Sequence, residues 1–122
     1  LGTYDGLVLA GTGSGNYPTK IKDVLENYTG ECTVVRASRV LEGAVFDSDV
    51  FDSKKVTIPA YKFSAQKARI LLMLALNCTK NHETIKSFFQ EYWKNFSCIV
   101  NNFVNAIIIY RLLQDRRLLC SN

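Results

Sequence analysis

The segment Gly11-Thr12-Gly13-Ser14-Gly15-Asn16 is the densest run of chemistry-bearing positions in the chain. It follows an apolar stretch, Gly6-Leu7-Val8-Leu9-Ala10. Glycines placed after such a stretch let the backbone turn sharply and let a ligand approach its N–H groups, and anions favour the helix N-terminus that follows. As a dinucleotide fingerprint, Gly11-x-Gly13-x-x-Asn16 puts asparagine where the third glycine belongs. The acid that would hold a ribose is missing from the next strand end. Arg36 and Arg39 stand there instead and would suit a 2′-phosphate such as that of NADP. The same glycines can also do no more than shape a tight turn.

Other chemistry is sparse. The one histidine, His82, sits in the polar stretch Lys80-Asn81-His82-Glu83, where solvation is the expected fate. There is no Gly-x-Ser-x-Gly elbow and no His-Glu-x-x-His pair. Thr12 and Thr19 have no identifiable base. Asp47, Asp49 and Asp52 crowd one loop and could offer a carboxylate to a ligand amine. Arg36 and Arg39 could clamp an anion, but anchoring loop carbonyls is the preferred reading. Cys32, Cys78, Cys98 and Cys120 show no C-x-x-C pair or Cys/His cluster, which disfavours structural zinc; free thiols are the preferred reading and disulfides the other.

The elements that must position these residues alternate. Gly6–Ala10 reads as a strand covered on both faces, and a helix follows from Pro18 to Thr29-Gly30 with Ile21, Val24, Leu25 and Tyr28 on one side. Cys32–Arg36 is a second strand, completing a right-handed crossover unit. A long irregular stretch spans Leu41 to about Lys55, and Val56–Ile58 reads as a short third strand ending at Pro59. Ser64 caps a helix through Asn77 with an apolar face of Ala68, Leu71, Leu72, Ala75 and Leu76. Asn81 caps another carrying Ile85, Phe88, Phe89 and Tyr92.

With 122 residues, 48% of them hydrophobic and 21% charged, the chain has material for one core. A net charge of +4 without a long basic run does not suggest a nucleic-acid partner. Phe96–Leu113 lacks a clear period; an added element, a membrane anchor, an amphipathic partner helix and a non-native tail compete there. Its asparagines and Arg111 leave no apolar run of about 20 residues, which disfavours a membrane span. From Trp93 onward the chain is expected to be loosely attached.

The order Tyr4-Asp5-Gly6, apolar strand, Ala10–Asn16, then Val34-Val35-Arg36-Ala37-Ser38-Arg39-Val40 with Gly43, resembles the C-terminal domain of bacterial type II L-asparaginases and glutaminase-asparaginases. Gln66–Leu76, Thr79-Lys80 and Phe89-Gln90-Glu91-Tyr92 are similar to that domain's last two helices. The resemblance covers residues 1–92, lacks the domain's first strand–helix unit, and leaves 93–122 as a tail without counterpart; it implies a fragment. It implies an α/β fold, a small parallel sheet with flanking helices on both faces. The reaction it implies is hydrolysis of the L-asparagine side-chain amide to L-aspartate and ammonia, with some use of L-glutamine. A threonine nucleophile acts there without metal or organic cofactor.

In that family the nucleophile lies on an N-terminal domain, in Thr-Gly-Gly-Thr-Ile and His-Gly-Thr-Asp-Thr motifs that are both missing here, so this chain is assigned no catalytic residue and no activity by itself. The C-terminal domain completes the site of a neighbouring subunit in a homotetramer. Asn16 matches the asparagine that does so, with Gly11, Gly13 and Gly15 shaping its loop. The family's second contact is a loop glutamate; here the region reads Asp47-Ser48-Asp49-Val50, and Asp49 takes that place. The resemblance implies a periplasmic protein, with the cytoplasm as the other compartment. The reading from another class is a noncatalytic module that binds a phosphate or nucleotide through Gly11, Gly13 and Gly15.

Overall fold

The structure, a computed structural model, describes residues 3–99. Its elements run β1 (Gly6–Gly11), α1 (Thr19–Glu26), β2 (Thr33–Ser38), β3 (Thr57–Ser64), α2 (Ala65–Leu76) and α3 (His82–Ile99). The strands form a parallel sheet in the order β1-β2-β3. Gly6 lies opposite Thr33 and Gly11 opposite Ser38, so the two loops that leave β1 and β2 emerge side by side. β2, the central strand, is buried along its whole length, as a strand paired on both edges and covered on both faces must be.

β3 differs from expectation. It does not end at Pro59 but runs through it to Ser64. β3 pairs only with β2, and an edge strand is where a residue without an N–H is admitted. Beyond Pro59 the strand swells: from Arg36 to Ser38 β2 advances two residues while β3 advances from Pro59 to Ser64. Tyr61 takes a left-handed φ of 52° inside that swelling, and its carbonyl accepts from the Val45 N–H at 2.8 Å. The irregularity thus docks the long loop that joins β2 to β3.

Both expected helix caps form. Ser64 Oγ accepts from the Lys67 N–H at 3.3 Å, and Asn81 Oδ1 accepts from the Thr84 N–H at 2.9 Å. Ala68, Leu71, Leu72 and Ala75 make the buried stripe of α2, and Ile85 and Phe89 are fully buried on α3. This helical hairpin covers one face of the sheet, against Val35, Ala37, Ile58 and Ala60. Each large apolar side chain buried there contributes roughly 1.5 to 3 kcal/mol. Val34 and Arg36 alternate to the opposite face, and Leu25 of α1 and Val45 are buried outside the hairpin cluster.

α3 does not stop at Tyr92. Trp93 lies one residue further, stacked on Tyr61 at 5.0 Å and 14° and edge-on to Phe46 at 5.7 Å. The loose attachment expected from Trp93 onward therefore fails at Trp93 itself, because Tyr61 and Phe46 give it an aromatic wall. Residues 100–122, to which the other tail readings apply, lie outside the described residues. Among the described residues no helix is long and apolar enough to cross a membrane.

Candidate functional site

The glycine segment folds into a closed turn at the carboxyl end of β1. The Gly15 and Asn16 N–H groups donate to the Thr12 carbonyl at 3.0 and 2.8 Å, and the Thr12 N–H donates to the Asn16 carbonyl at 3.0 Å. Gly13 and Gly15 have φ of 51° and 84°, a region costly for residues with a β-carbon, which is why glycine occupies both. Gly11 is buried with the Gly15-Asn16 backbone pressed against it, leaving no room for a β-carbon. Asn16 stands exposed at the exit of the turn. Because two of the turn's amides are spent on Thr12, few remain to cradle a phosphate, which weighs against the nucleotide reading.

The long loop returns from the carboxyl end of β2 to the amino end of β3, and its three aspartates meet different fates. Asp47 pairs with Lys86 Nζ at 3.0 Å. Asp52 is buried; Oδ1 accepts from the Val56 N–H at 2.8 Å, and Oδ2 accepts from the Thr57 N–H at 2.7 Å and from the Thr57 hydroxyl. Asp49 alone points a largely free carboxylate outward, 83% exposed and 3.7 Å from Lys55 Nζ. Of the three paired carboxylates it is the most exposed.

Arg36 joins the two loops. It is a fully buried arginine whose Nη1 donates to the Ser14 carbonyl at 3.1 Å and whose Nη2 donates to the Phe46 carbonyl at 2.8 Å. Ser38 Oγ donates to the Gly13 carbonyl and accepts from the Val40 N–H at 3.1 Å. The Arg39 N–H donates to the Gly11 carbonyl at 2.8 Å while its side chain is exposed. Anchoring therefore holds for Arg36. Tyr17, next to Asn16, sits within reach of both loops: burial pushes its phenol up, Asp52 adds to the rise and Arg36 opposes it.

The structure thus gathers Gly11, Gly13, Gly15 and Asn16 into one turn and sets Asp49 on the returning half of the neighbouring loop. Gly43 and Val45 lie against the glycine turn, and Arg36 links the turn to the Phe46 carbonyl. Sequence reading missed Gly43 as a packing position, although its spacing after Ser38 in the same loop was a usable signal. His82 is half-buried, with Nδ1 3.5 Å from Glu83 Oε1. Cys32 is a half-buried thiol pushed up by burial, and Cys120 and the Cys98 side chain lie outside the described residues. Among the described residues no cluster of His, Cys, Asp and Glu could hold a metal ion.

Two clefts lie at the other end of the sheet. One of about 470 Å³ is lined by Tyr28, Cys32, Lys55, Lys80 and His82, and one of about 320 Å³ by Tyr4, Asp5, Tyr28 and Cys32. Both open at the amino ends of the strands, whereas open parallel sheets bind ligands at the carboxyl ends. At the carboxyl-end loops Asn16, Arg39 and Asp49 are exposed.

Comparison with known proteins agrees with this geometry. The pattern of the Glutaminase/Asparaginase C-terminal domain matches residues 2–89. L-asparaginase 2 of Escherichia coli (strain K12) is 42% identical over 91 residues, which cover 73% of this chain and 26% of that protein. A probable periplasmic L-asparaginase of Haemophilus influenzae is 40% identical over the same length, again 73% and 26%. The crystal structure of a probable cytoplasmic L-asparaginase from Campylobacter jejuni superposes with a TM-score of 0.63 at 40% identity, covering 70% of this chain and 27% of that one. The chain spans about a quarter of the length of these relatives. With its three-stranded parallel sheet, flanking helices and matched residues, the chain belongs to the glutaminase/asparaginase C-terminal domain family.

Proposed function

We propose that this chain supplies the substrate-completing C-terminal part of an amidohydrolase that converts L-asparagine and water to L-aspartate and ammonia, with L-glutamine as a second substrate. The family match over residues 2–89, which includes the asparagine-tipped glycine turn, carries this reading. In it, Asn16 offers its side-chain amide to substrate bound in the active site of a neighbouring subunit, within a homotetramer. Asp49 offers its carboxylate to the substrate's amino group, from a side chain one methylene shorter than a glutamate. A threonine on the N-terminal domain attacks the amide carbon, and neither metal nor organic cofactor takes part.

The exposed Asn16 side chain and the 83% exposed Asp49 carboxylate support a site that this chain supplies in part. By itself the chain then binds weakly and turns nothing over. Groups that stabilise substrate and transition state equally do not raise kcat, and the covalent route is lost with the nucleophile. The periplasm is the compartment assigned, on the likeness to the Haemophilus influenzae relative.

A chimera tests this reading. Residues 1–99 of this chain replace the matched stretch of the Escherichia coli relative, and ammonia release from L-asparagine is measured. The chimera should turn over while the 122-residue chain stays at the buffer rate. Asn16→Ala should raise KM or lower kcat and change stability by less than about 1 kcal/mol, the range for exposed positions. Unchanged kinetics with a destabilised fold would reduce Asn16 to a structural residue. Robust turnover by the isolated chain, abolished by Thr12→Ala, would place a nucleophile in the turn and sink the proposal.

A further inference from the structure

We propose that Arg36 is a positioning residue for Asn16, locking the glycine turn and residues 43–46 of the following loop into one rigid body. Its use in amide hydrolysis rests on the asparaginase reading; the lock itself does not. The guanidinium head is a single rigid plane, and its two terminal nitrogens hold carbonyls of different loops, Ser14 at 3.1 Å and Phe46 at 2.8 Å. Nε is buried with no partner among the described residues, so these two bonds fix the head's position.

The loops also abut directly at two places where a β-carbon does not fit. A β-carbon on Gly15 would lie 3.0 Å from the Val45 Cγ2 and from the Arg36 Cγ. One on Gly43 would lie 3.1 Å from the Gly13 carbonyl oxygen and would collide with the Ser38 hydroxyl, the group that donates to Gly13. Val45 is fully buried at this seam. Turn and loop therefore share one packed boundary with Arg36 beneath it, and a displacement of residues 43–46 must be felt at Asn16. Lysine at position 36 keeps the charge but concentrates it on one nitrogen, and cannot hold both carbonyls in one plane.

The test uses the ¹⁵N-labelled chain. Gly43→Ala is the clean wedge, because Gly43 does not have a left-handed φ and an added methyl there acts by crowding alone. Gly43→Ala and Arg36→Lys should each shift the Asn16 side-chain amide resonances and raise amide exchange at Asn16 and Val45 together by about tenfold or more, a local opening. Protection at Val34 and Val35 should persist, and Ser53→Ala, on the exposed return of the same loop, should move neither. An Asn16 signal unmoved by Gly43→Ala overturns the proposal, as does an Arg36→Lys response at Asn16 without one at Val45. Loss of Val34 and Val35 protection in both variants overturns it too, since the contacts would then hold the sheet rather than position a loop. In the chimera, both substitutions should change KM in the direction of Asn16→Ala. An inactive chimera with the coupling intact sinks the asparaginase reading and leaves the lock standing.

Discussion

Asp52 and Asp49 lie three residues apart in the same loop and should behave oppositely when replaced. Asp52 is 6% exposed, and its carboxylate takes bonds from two backbone N–H groups and the Thr57 hydroxyl. Hydrogen bonds to a charged group contribute roughly 1.5 to 3 kcal/mol, and each donor stranded without a partner costs about 1 to 3 kcal/mol. Val56 is half-buried and water can reach its N–H, so Asp52→Ala should cost about 3 kcal/mol rather than the sum. For a domain of this size that lowers Tm by about 12 to 24 °C. Asp52→Asn keeps one acceptor oxygen and should cost about 2 kcal/mol. Asp49→Asn breaks only an exposed 3.7 Å pair with Lys55 and should stay within about 0.5 kcal/mol. Circular dichroism melts of the three variants at neutral pH give the comparison. Equal shifts for positions 49 and 52, or a loss under about 1 kcal/mol for Asp52→Ala, would refute the assignment of one aspartate to the fold and the other to a ligand.

Stability should fall in alkali through Lys86 and Tyr61. Burial alone pushes the Lys86 ammonium down, but the hydrogen bond and charge of Asp47 carry it above 10.5; burial pushes the Tyr61 phenol above 10.0. Both groups hold their protons more tightly folded than unfolded, so their contribution is full below pH 10 and fades as the pH climbs past it. Tyr61→Phe should flatten part of that fall in urea melts across the alkaline range, and an equally steep fall would exclude Tyr61. Trp93→Ala should cost about 2 kcal/mol, less than a fully buried tryptophan because the ring is only half-buried, and should erase the near-ultraviolet dichroism of the stack. A variant with unchanged stability would mean that the stack contributes nothing. Ser64→Ala should cost about 0.5 to 1 kcal/mol, the low side for an N-cap, given the 3.3 Å bond; a neutral result would assign the start of α2 to its packing instead.

What sequence shows here is what is local. Ser64 and Asn81 announce their helices because a cap is made with an N–H three residues on. The glycine turn is likewise closed by bonds between residues 12 and 16. β3 escaped because its continuation past Pro59 depends on which strands pair with it, a property of the sheet and not of the segment. Arg36 reads from the sequence as an anchor for loop carbonyls, but neither its burial nor its partners can be read there. It is buried because carbonyls 22 and 10 residues away come to it, and no window around Val34–Ala37 contains them. The candidate site divides in the same way: Asn16 sits in a recognisable motif, while the three aspartates are alike until Lys86 and Thr57 claim two of them.

Trp93 separates the boundary of the family pattern from the boundary of the packed structure. The matched residues end at 89, but the aromatic group of Phe46, Tyr61 and Trp93 does not. Phe46 is the residue whose carbonyl Arg36 holds, and Tyr61 is the residue whose carbonyl holds Val45. The long loop is therefore gripped from two sides, by a guanidinium beneath it that also holds the glycine turn and by rings that lean on α3. A residue beyond the matched pattern thus bears on the shape of the loop that abuts Gly13 and Gly15. Comparing relatives over the matched residues alone would leave that support out, and a splice placed after residue 92 would remove it while leaving every motif quoted for the family in place.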